Sequence, residues 1–328
     1  MDVRAAPSTK GRFCYLDAGV TSSLVANGRV RTQRDADGGD AGTEGVVADE
    51  RLVDIADARR LERAPTLDQE GFAVVARPLE RELDFYDHRQ VVEAYYSSCR
   101  GLIAEVTGAP HVFAFDHNVR SATQQQAAER IRGGQRVQGP AHVVHGDYTL
   151  TSAPRRLEQL TQPPTGNDTL RSMLADGEVL IDPELAARAL APTGRFALIN
   201  VWRNIAPEPV VTHPLALCDA RTVEPEDLVV FEIHYADRVG ENYFAKAALR
   251  HRWIYWSGLT RDEGLLIKQW DSAGALARSE GKVSDSAEPD SPSSFSFHSA
   301  FDDPATPVGA PDRRSIEVRC IALWPAAR

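Results

Sequence analysis

A histidine and an aspartate lie two residues apart in the apolar stretch HVVHGDYTLTS, residues 142–152. In an extended strand, residues i and i+2 point to the same face, so His145 and Asp147 converge on one point. An imidazole nitrogen and a carboxylate that converge are typical metal ligands, but two ligands do not complete a site. A third ligand must come from a distant part of the chain.

The candidate third ligand is His298, in the strand-like segment FSFHSAF. Period-2 geometry places Ser296, His298 and Ala300 on one face and the phenylalanines on the other. A small, polar inner face backed by bulky residues is typical of a barrel wall that holds a ligand. A histidine in this position is also common as a hydrogen-bonded core residue, so His298 alone does not establish a site.

The next strand-like segment, RRSIEVRCIALW, begins with an arginine and a serine two residues apart. Arg313, Ser315, Glu317 and Arg319 share one polar face, a pattern that a surface strand would also show. A buried guanidinium binds a carboxylate through two hydrogen bonds, and a neighbouring hydroxyl adds a third. We therefore expect Arg313 with Ser315 to bind a carboxylate, and Arg319 is the rival for this role.

Two histidines and one carboxylate on one face of an ion form the facial triad of non-haem iron(II) oxygenases. The arginine would then bind the far carboxylate of 2-oxoglutarate, whose keto-acid end chelates the metal. The predicted cofactors are Fe(II), 2-oxoglutarate as cosubstrate and O2. His-x-Asp alone occurs by chance in many proteins, but the ordered set of three elements is more specific.

Short β-like runs at close spacing, without helices between most of them, fill residues 111–328. This pattern indicates an antiparallel sandwich or barrel. We expect a helical insert at about 153–192 and one structural domain overall. Residues 1–110 are expected to supply strands, a flexible loop at 34–45 and a support helix, all packed on the barrel.

That support helix is predicted from Asp84 to Thr107, where apolar residues recur at helical spacing and Gly108 with Pro110 ends the pattern. A polar, Pro-containing segment at 284–296 leads into the strand of His298 and is predicted to be a mobile lid.

The chain of 328 residues is 42% hydrophobic and 26% charged, with a formal net charge of −10. This balance predicts a globular protein and argues against nucleic-acid and anionic-membrane partners. No apolar run approaches the roughly 18–20 residues that span a bilayer, and the N-terminus lacks the apolar stretch of a signal peptide. Four cysteines lie far apart without a CxxC pair, which favours a reducing, cytoplasmic location. The oligomeric state stays open.

Several blocks of the sequence, taken together, resemble one family of iron(II)/2-oxoglutarate-dependent oxygenases. This family includes the cephamycin methoxylation component J and the fungal endoperoxide-forming oxygenase of novofumigatonin biosynthesis. The resemblance covers roughly residues 110–325 and implies a mainly β fold with helical additions, the double-stranded β-helix (jelly-roll or cupin-like) barrel. The blocks are VHGDYT, NVWRN, PLALCDARTV, LLIKQWDS, FHSAFDDP and RRSIEVR.

Carried over by this resemblance, the iron ligands fall on His145, Asp147 and His298, and the cosubstrate is bound by Arg313 with Ser315. The family implies hydroxylation, desaturation or cyclisation of a small natural product with release of succinate and CO2, and leaves the substrate unnamed. It commonly reads Asn-x-Trp-Arg-Pro where this chain has Asn204, so any role of Arg203 is open.

Weaker candidates for substrate contacts are His117, Arg120, Tyr148, Trp202 and Arg203. A surface strand end is an equal alternative for the first two, and a core position is an alternative for Trp202.

Two other functions compete with the oxygenase. One is a non-catalytic β-barrel that binds a small acidic ligand through Arg313 and Arg319. The other is a zinc-dependent hydrolase with the same triad, which would need a general base that the sequence does not obviously supply.

Overall fold

The computed structural model describes residues 8–34, 40–80, 82–166, 168–235 and 238–327, and these residues include fifteen strands arranged in two sheets. The strands are β1 Ser8–Leu16, β2 Arg31–Arg34, β3 Asp40–Glu44, β4 Ala48–Asp57, β5 Phe72–Ala76, β6 His111–Arg120, β7 His145–Gly146, β8 Arg195–Asn204, β9 Leu215–Cys218, β10 Leu228–His234, β11 Val239–Ala245, β12 Trp253–Tyr255, β13 Glu263–Asp271, β14 His298–Ala300 and β15 Ser315–Trp324.

The larger sheet has ten strands in the order β1-β4-β12-β9-β14-β7-β11-β10-β2-β3. The smaller sheet has five in the order β5-β13-β8-β15-β6. Neighbouring strands come from distant parts of the sequence, and most pairs are antiparallel, as in a jelly roll. The predicted double-stranded β-helix fold is confirmed. Strands β1, β4 and β5 show that the first 110 residues contribute to both sheets.

Short helices cover the outer face of the smaller sheet and form the insert. The α-helices are α1 His88–Gln90, α2 Tyr96–Thr107, α3 Ala122–Gln126, α4 Ser152–Gln159, α5 Pro183–Leu190 and α6 Ala275–Arg278. A π-helical turn, Val91–Tyr95, joins α1 to α2.

The predicted support helix corresponds to α1, the π-helical turn and α2. It begins at His88 rather than Asp84 because the Asp87 side chain caps it by accepting a hydrogen bond from the Gln90 amide. It ends before Gly108, whose φ of 67° is the left-handed conformation that glycine adopts without strain.

The β8 strand is buried along almost its whole length rather than alternating between buried and exposed residues. One face looks into the barrel, and the other is covered by helices. Arg100 of α2 donates to the Val112 carbonyl, and Arg188 of α5 donates to the Ala326 carbonyl. A strand that is covered on both faces has a nearly continuous apolar sequence with a few polar residues. The polar residues on its inner face contribute to the candidate metal site.

Two segments differ from the sequence-based expectation. The segment 34–45 is not simply a flexible loop, because β2 and β3 pair as an antiparallel edge hairpin and β2 also pairs with β10. Residues 35–39 of that segment lie outside the described residues. Local Gly and Asp content predicted a loop, whereas pairing with a neighbouring strand decides the conformation.

The segment 284–296 is held in place at both ends, which contradicts the lid prediction. The buried Asp285 carboxylate accepts hydrogen bonds from the Leu276 and Ser294 amides and from the Ser294 hydroxyl. Phe295 and Ser296 are buried as well. Among the described residues that line the cavity beside His298, none comes from 284–296. The polar composition of the segment predicted mobility. In the structure, however, Asp285 and Ser294 hydrogen-bond to each other and to backbone amides of α6.

In the described part of the chain, no helix has the length and apolar character needed to cross a membrane.

Candidate metal centre and cosubstrate pocket

The predicted ligands converge on one point inside the barrel. His145 lies in β7 and is the direct pairing partner of His298 in β14, with ring centroids 4.2 Å apart. Asp147 follows β7, and its Oδ1 lies 3.7 Å from Nε2 of His145 and 4.0 Å from Nε2 of His298. One ligand atom of each residue lies within 4.8 Å of the others. The arrangement supplies two nitrogens and one oxygen to a common centre.

The protonation states suit metal binding. His145 Nδ1 donates to the Val143 carbonyl at 2.8 Å, which leaves the Nε2 lone pair directed at Asp147. Burial, together with His298, lowers the pKa of His145 to about 4, and burial also lowers the pKa of His298. Burial alone would raise the pKa of Asp147, but Arg319 and the two histidines lower it below its ordinary value. Two neutral imidazoles and one carboxylate therefore face each other.

A small cavity of about 20 Å³ lies beside this group. Polar side chains from both sheets line it together with a few apolar ones. Its walls are Arg120, Ala141, His145, Asp147, Trp202, Leu215, His298, Ala300, Arg313 and Glu317.

Arg313 is 2% exposed and has unused hydrogen-bonding capacity. One Nη1 bond goes to the His213 carbonyl, while Nε has no partner among the residues that the structure describes. The hydroxyl of Ser315, 1% exposed, also lacks a partner there. Burial and the nearby Arg120 lower the pKa of Arg313 to about 9, so a bound anion would stabilise its charge. These donors fit a carboxylate, and the triad fits a divalent metal.

Arg319 was the alternative to Arg313 for binding the cosubstrate carboxylate, but its guanidinium already has other partners. Its Nη1 donates to Asp116 Oδ2 at 2.7 Å, and its Nε donates to Asp147 Oδ2 at 3.4 Å. A guanidinium between two carboxylates is already paired. Arg319 is also absent from the described cavity wall.

Two of the weaker candidates line the cavity. The Trp202 ring lies 5.8 Å from the guanidinium carbon of Arg313. Arg120 is anchored by a bond from Nη1 to the Gly139 carbonyl at 2.8 Å. Tyr148 is half-buried, does not line the cavity, and has its pKa raised to about 12 by burial.

The other two, His117 and Arg203, point away from the cavity, so their expected substrate contacts need correction. His117 Nδ1 and the Tyr96 hydroxyl of α2 share a hydrogen bond of 2.9 Å. Arg203 donates to the Tyr95 hydroxyl and to the Arg77 and Arg261 carbonyls. Strand alternation is the reason, because Trp202 faces the barrel and its neighbour Arg203 faces the helices.

Two residues of the site were not among the predicted contacts, although strand alternation pointed to both. Asn200 shares the face of Trp202, and Glu317 shares the face of Arg313. Asn200 Nδ2 donates to Asp147 Oδ2 at 2.9 Å and to Glu317 Oε1 at 2.5 Å. Burial and the nearby Asp147 raise the pKa of Glu317.

Asn204, which stands where the family commonly has proline, has a local structural role. Its side-chain Nδ2 donates to the Glu208 and Leu259 carbonyls, and its side-chain Oδ1 accepts from the Ala206 amide. The asparagine therefore shapes the turn that follows β8.

A second histidine–aspartate group, His142 with His213 and Asp302, has ligand atoms equally close together. His213 Nδ1 lies 3.0 Å from Asp302 Oδ1, but the Asp302 side chain is 65% exposed. The buried triad, beside the unsatisfied Arg313, is the better candidate metal centre.

A jelly-roll barrel with a His-Asp-His group inside and an unsatisfied arginine beside it defines the class of metal-dependent oxygenases. Comparison with known proteins agrees. A family profile described as "Oxidoreductase/YMDC permease-like domain" matches residues 26–323. The chain belongs to this family, and its curated relatives show that it is an iron(II)/2-oxoglutarate-dependent oxygenase.

Three curated relatives illustrate the similarity. The hydroxylase/desaturase efuI of Hormonema carpetanum is 30% identical over 283 residues, which cover 83% of each chain. The Fe(II)/2-oxoglutarate-dependent dioxygenase nvfI of Aspergillus novofumigatus is 30% identical and covers 81% of each. An uncharacterized protein of Methylophilus leisingeri is 42% identical over 192 residues, covering 58% of this chain and 88% of the relative.

The solved structure of the iron and alpha-ketoglutarate-dependent endoperoxidase NvfI supports the fold. It superposes with a TM-score of 0.70 at 24% identity, over 98% of this chain and 99% of that chain. The protein is thus an oxidoreductase that uses Fe(II), 2-oxoglutarate and O2.

Proposed function

We propose that this oxygenase hydroxylates, desaturates or cyclises a small natural product, with His145, Asp147 and His298 binding the iron. Arg313 and Ser315 bind the distal carboxylate of 2-oxoglutarate. The observation that carries the proposal is that the triad and Arg313, whose Nε lacks a partner among the described residues, line the same cavity. The buried Ser315 hydroxyl, two residues after Arg313, also lacks a partner there.

When bound, iron with 2-oxoglutarate and O2 supplies an oxidant that removes hydrogen from an unactivated C–H bond, and succinate and CO2 are the coproducts. The protein positions the metal and the cosubstrate. The hydrogen bond from His145 Nδ1 to the Val143 carbonyl keeps Nε2 free for the metal, and the guanidinium of Arg313 orients the cosubstrate.

Other side chains of the cavity are the proposed substrate contacts. Trp202 and Leu215 provide apolar surface, and Arg120 provides a second cation for an anionic or strongly polar group. The enclosing walls limit access of water during oxidation.

Of the competing functions, the zinc hydrolase gains a candidate general base that the sequence did not obviously supply. Glu317 lines the cavity, so the lack of a second carboxylate no longer argues against a zinc hydrolase. The relatives instead favour the oxygenase, since they include a named Fe(II)/2-oxoglutarate-dependent dioxygenase. We also infer a cytoplasmic location, which is supported by four free cysteines, three of them buried.

Anaerobic spectroscopy tests the function. Iron(II) and 2-oxoglutarate added together should produce a weak visible charge-transfer band that disappears in Asp147→Ala and persists in Arg203→Lys, a control outside the cavity. Zinc-dependent hydrolysis, or a band that survives in Asp147→Ala, would contradict the proposal.

A further inference from the structure

The two carboxylate oxygens of Asp147 face different sheets. Oδ1 faces Nε2 of His145 and of His298, which both belong to the larger sheet. Oδ2 accepts hydrogen bonds from Asn200 Nδ2 at 2.9 Å and from Arg319 Nε at 3.4 Å, which both belong to the smaller sheet. One oxygen is thus directed at the metal centre and the other is held by the opposite wall of the barrel.

The register of the smaller sheet places the two donors side by side. Asn200 in β8 and Arg319 in β15 are direct pairing partners, and Asp116 in β6 is the partner of Arg319 on its other side. The pairing of β15 with β6 shifts register directly after Arg319, a bulge of the kind that re-aims side chains beside functional sites. Three adjacent strands therefore present an amide, a guanidinium and a carboxylate in one row.

The far end of Arg319 is fixed as well. Its Nη1 donates to Asp116 Oδ2 at 2.7 Å, and Asp116 accepts a hydrogen bond from the Thr169 hydroxyl of the helical insert. Burial alone would lower the pKa of Arg319, but the carboxylates of Asp147 and Asp116 outweigh it and raise the pKa. A permanently charged, doubly anchored donor therefore holds Oδ2.

We propose that Asn200 and Arg319 form a carboxylate clamp, a pair of positioning residues that keeps Oδ2 of Asp147 off the metal. The carboxylate then binds the metal through Oδ1 alone. An octahedral ion held by three protein atoms keeps about three positions open, whereas a bidentate carboxylate would take a fourth. The clamp rests on the proposed function, because it requires Asp147 to be a metal ligand.

Water proton relaxation of the Mn(II)-loaded protein tests the clamp without turnover, because relaxivity follows the number of waters on the ion. In Asn200→Val and Arg319→Leu, Asp147 is free to chelate through both oxygens. We expect the relaxivity of each Mn(II) complex to fall by about one third, as one of about three bound waters is displaced.

Arg203→Leu is the matched control, because Arg203 is also a buried arginine of the smaller sheet but bonds only outside the cavity. It should lower Tm and leave the relaxivity of the Mn(II) complex unchanged. Wild-type relaxivity in fully loaded Asn200→Val and Arg319→Leu would overturn the clamp. If Arg319→Leu does not fold, Asn200→Val decides the question alone, because it removes the shorter bond.

Asp147→Ala separates the two proposals. Loss of Mn(II) affinity in this variant supports Asp147 as a ligand, whatever the clamp variants show. Wild-type Mn(II) affinity in Asp147→Ala would overturn the proposed metal site itself.

Discussion

His145 and His298 are direct partners across the antiparallel pair formed by β7 and β14, and their ring centroids lie 4.2 Å apart. Residues that oppose each other in a ladder present their side chains on the same face. The spacing of the two imidazoles is therefore set by backbone hydrogen bonds. Asp147, the residue directly after β7, completes the group.

Removing a ligand should abolish turnover without unfolding the barrel. We expect His145→Ala, Asp147→Ala and His298→Ala each to reduce 2-oxoglutarate consumption by more than about 100-fold. Even residues that only orient the metal ligands through hydrogen bonds are worth about 10–100-fold in metal sites. Succinate release measures the effect, and circular dichroism checks the fold. A variant with full activity would remove that residue from the proposed metal site.

Arg313→Leu should weaken 2-oxoglutarate binding far more than it affects the fold. Truncating one partner of a buried charge pair costs about 2–5 kcal/mol, which corresponds to roughly 30-fold or more in KM. Ser315→Ala, which removes one hydrogen bond to a charged carboxylate, should raise KM by roughly 10-fold or more. If Arg319→Leu raises the 2-oxoglutarate KM while Arg313→Leu leaves it unchanged, the cosubstrate arginine has been misassigned.

His117 should make the protein less stable in mild acid. Burial lowers its pKa from 6.5 in the unfolded chain to about 4 in the folded protein. Below pH 6.5 the unfolded state binds a proton that the folded state rejects, so stability falls as the pH drops from 6.5 to 4, by up to about 3 kcal/mol.

The variant His117→Asn keeps an acceptor for the Tyr96 hydroxyl and cannot titrate. Urea unfolding between pH 7 and pH 4 should show a smaller loss of stability in His117→Asn than in the wild type. Equal losses in both proteins would show that His117 does not drive the acid sensitivity.

Asp285→Ala should destabilise the fold, since the buried amides of Leu276 and Ser294 lose their acceptor. We expect the free energy of unfolding to fall by about 2–4 kcal/mol. Asp290→Ala, at an exposed position of the same segment, is the control and should change the free energy of unfolding by less than about 0.5 kcal/mol.

Proteolysis within 284–296 should proceed at the same rate with and without 2-oxoglutarate. Protection of this segment by the cosubstrate would support the lid prediction after all.

The sequence by itself predicted the series of short strands after residue 111 and the end of the support helix at Gly108. It also predicted the set His145, Asp147, His298, Arg313 and Ser315. These features depend on local rules, namely the period of two along a strand, glycine in the left-handed conformation, and a few ligand types at short spacing. The same alternation put Asn200 and Trp202 on one face and left open whether that face lines the cavity.

Tertiary structure decided which inner-face polar groups are already paired. Arg313 lies two residues before β15 and Arg319 lies within β15, and an even spacing separates them. Only Arg319 lies opposite Asp116 and beside Asp147. Likewise, His117 and Arg203 look like candidate contacts until helix α2 and its neighbouring turn cover them. The partners of these side chains, and the helices that cover them, come from distant segments of the chain. The local sequence therefore cannot show whether a buried charge already has a partner.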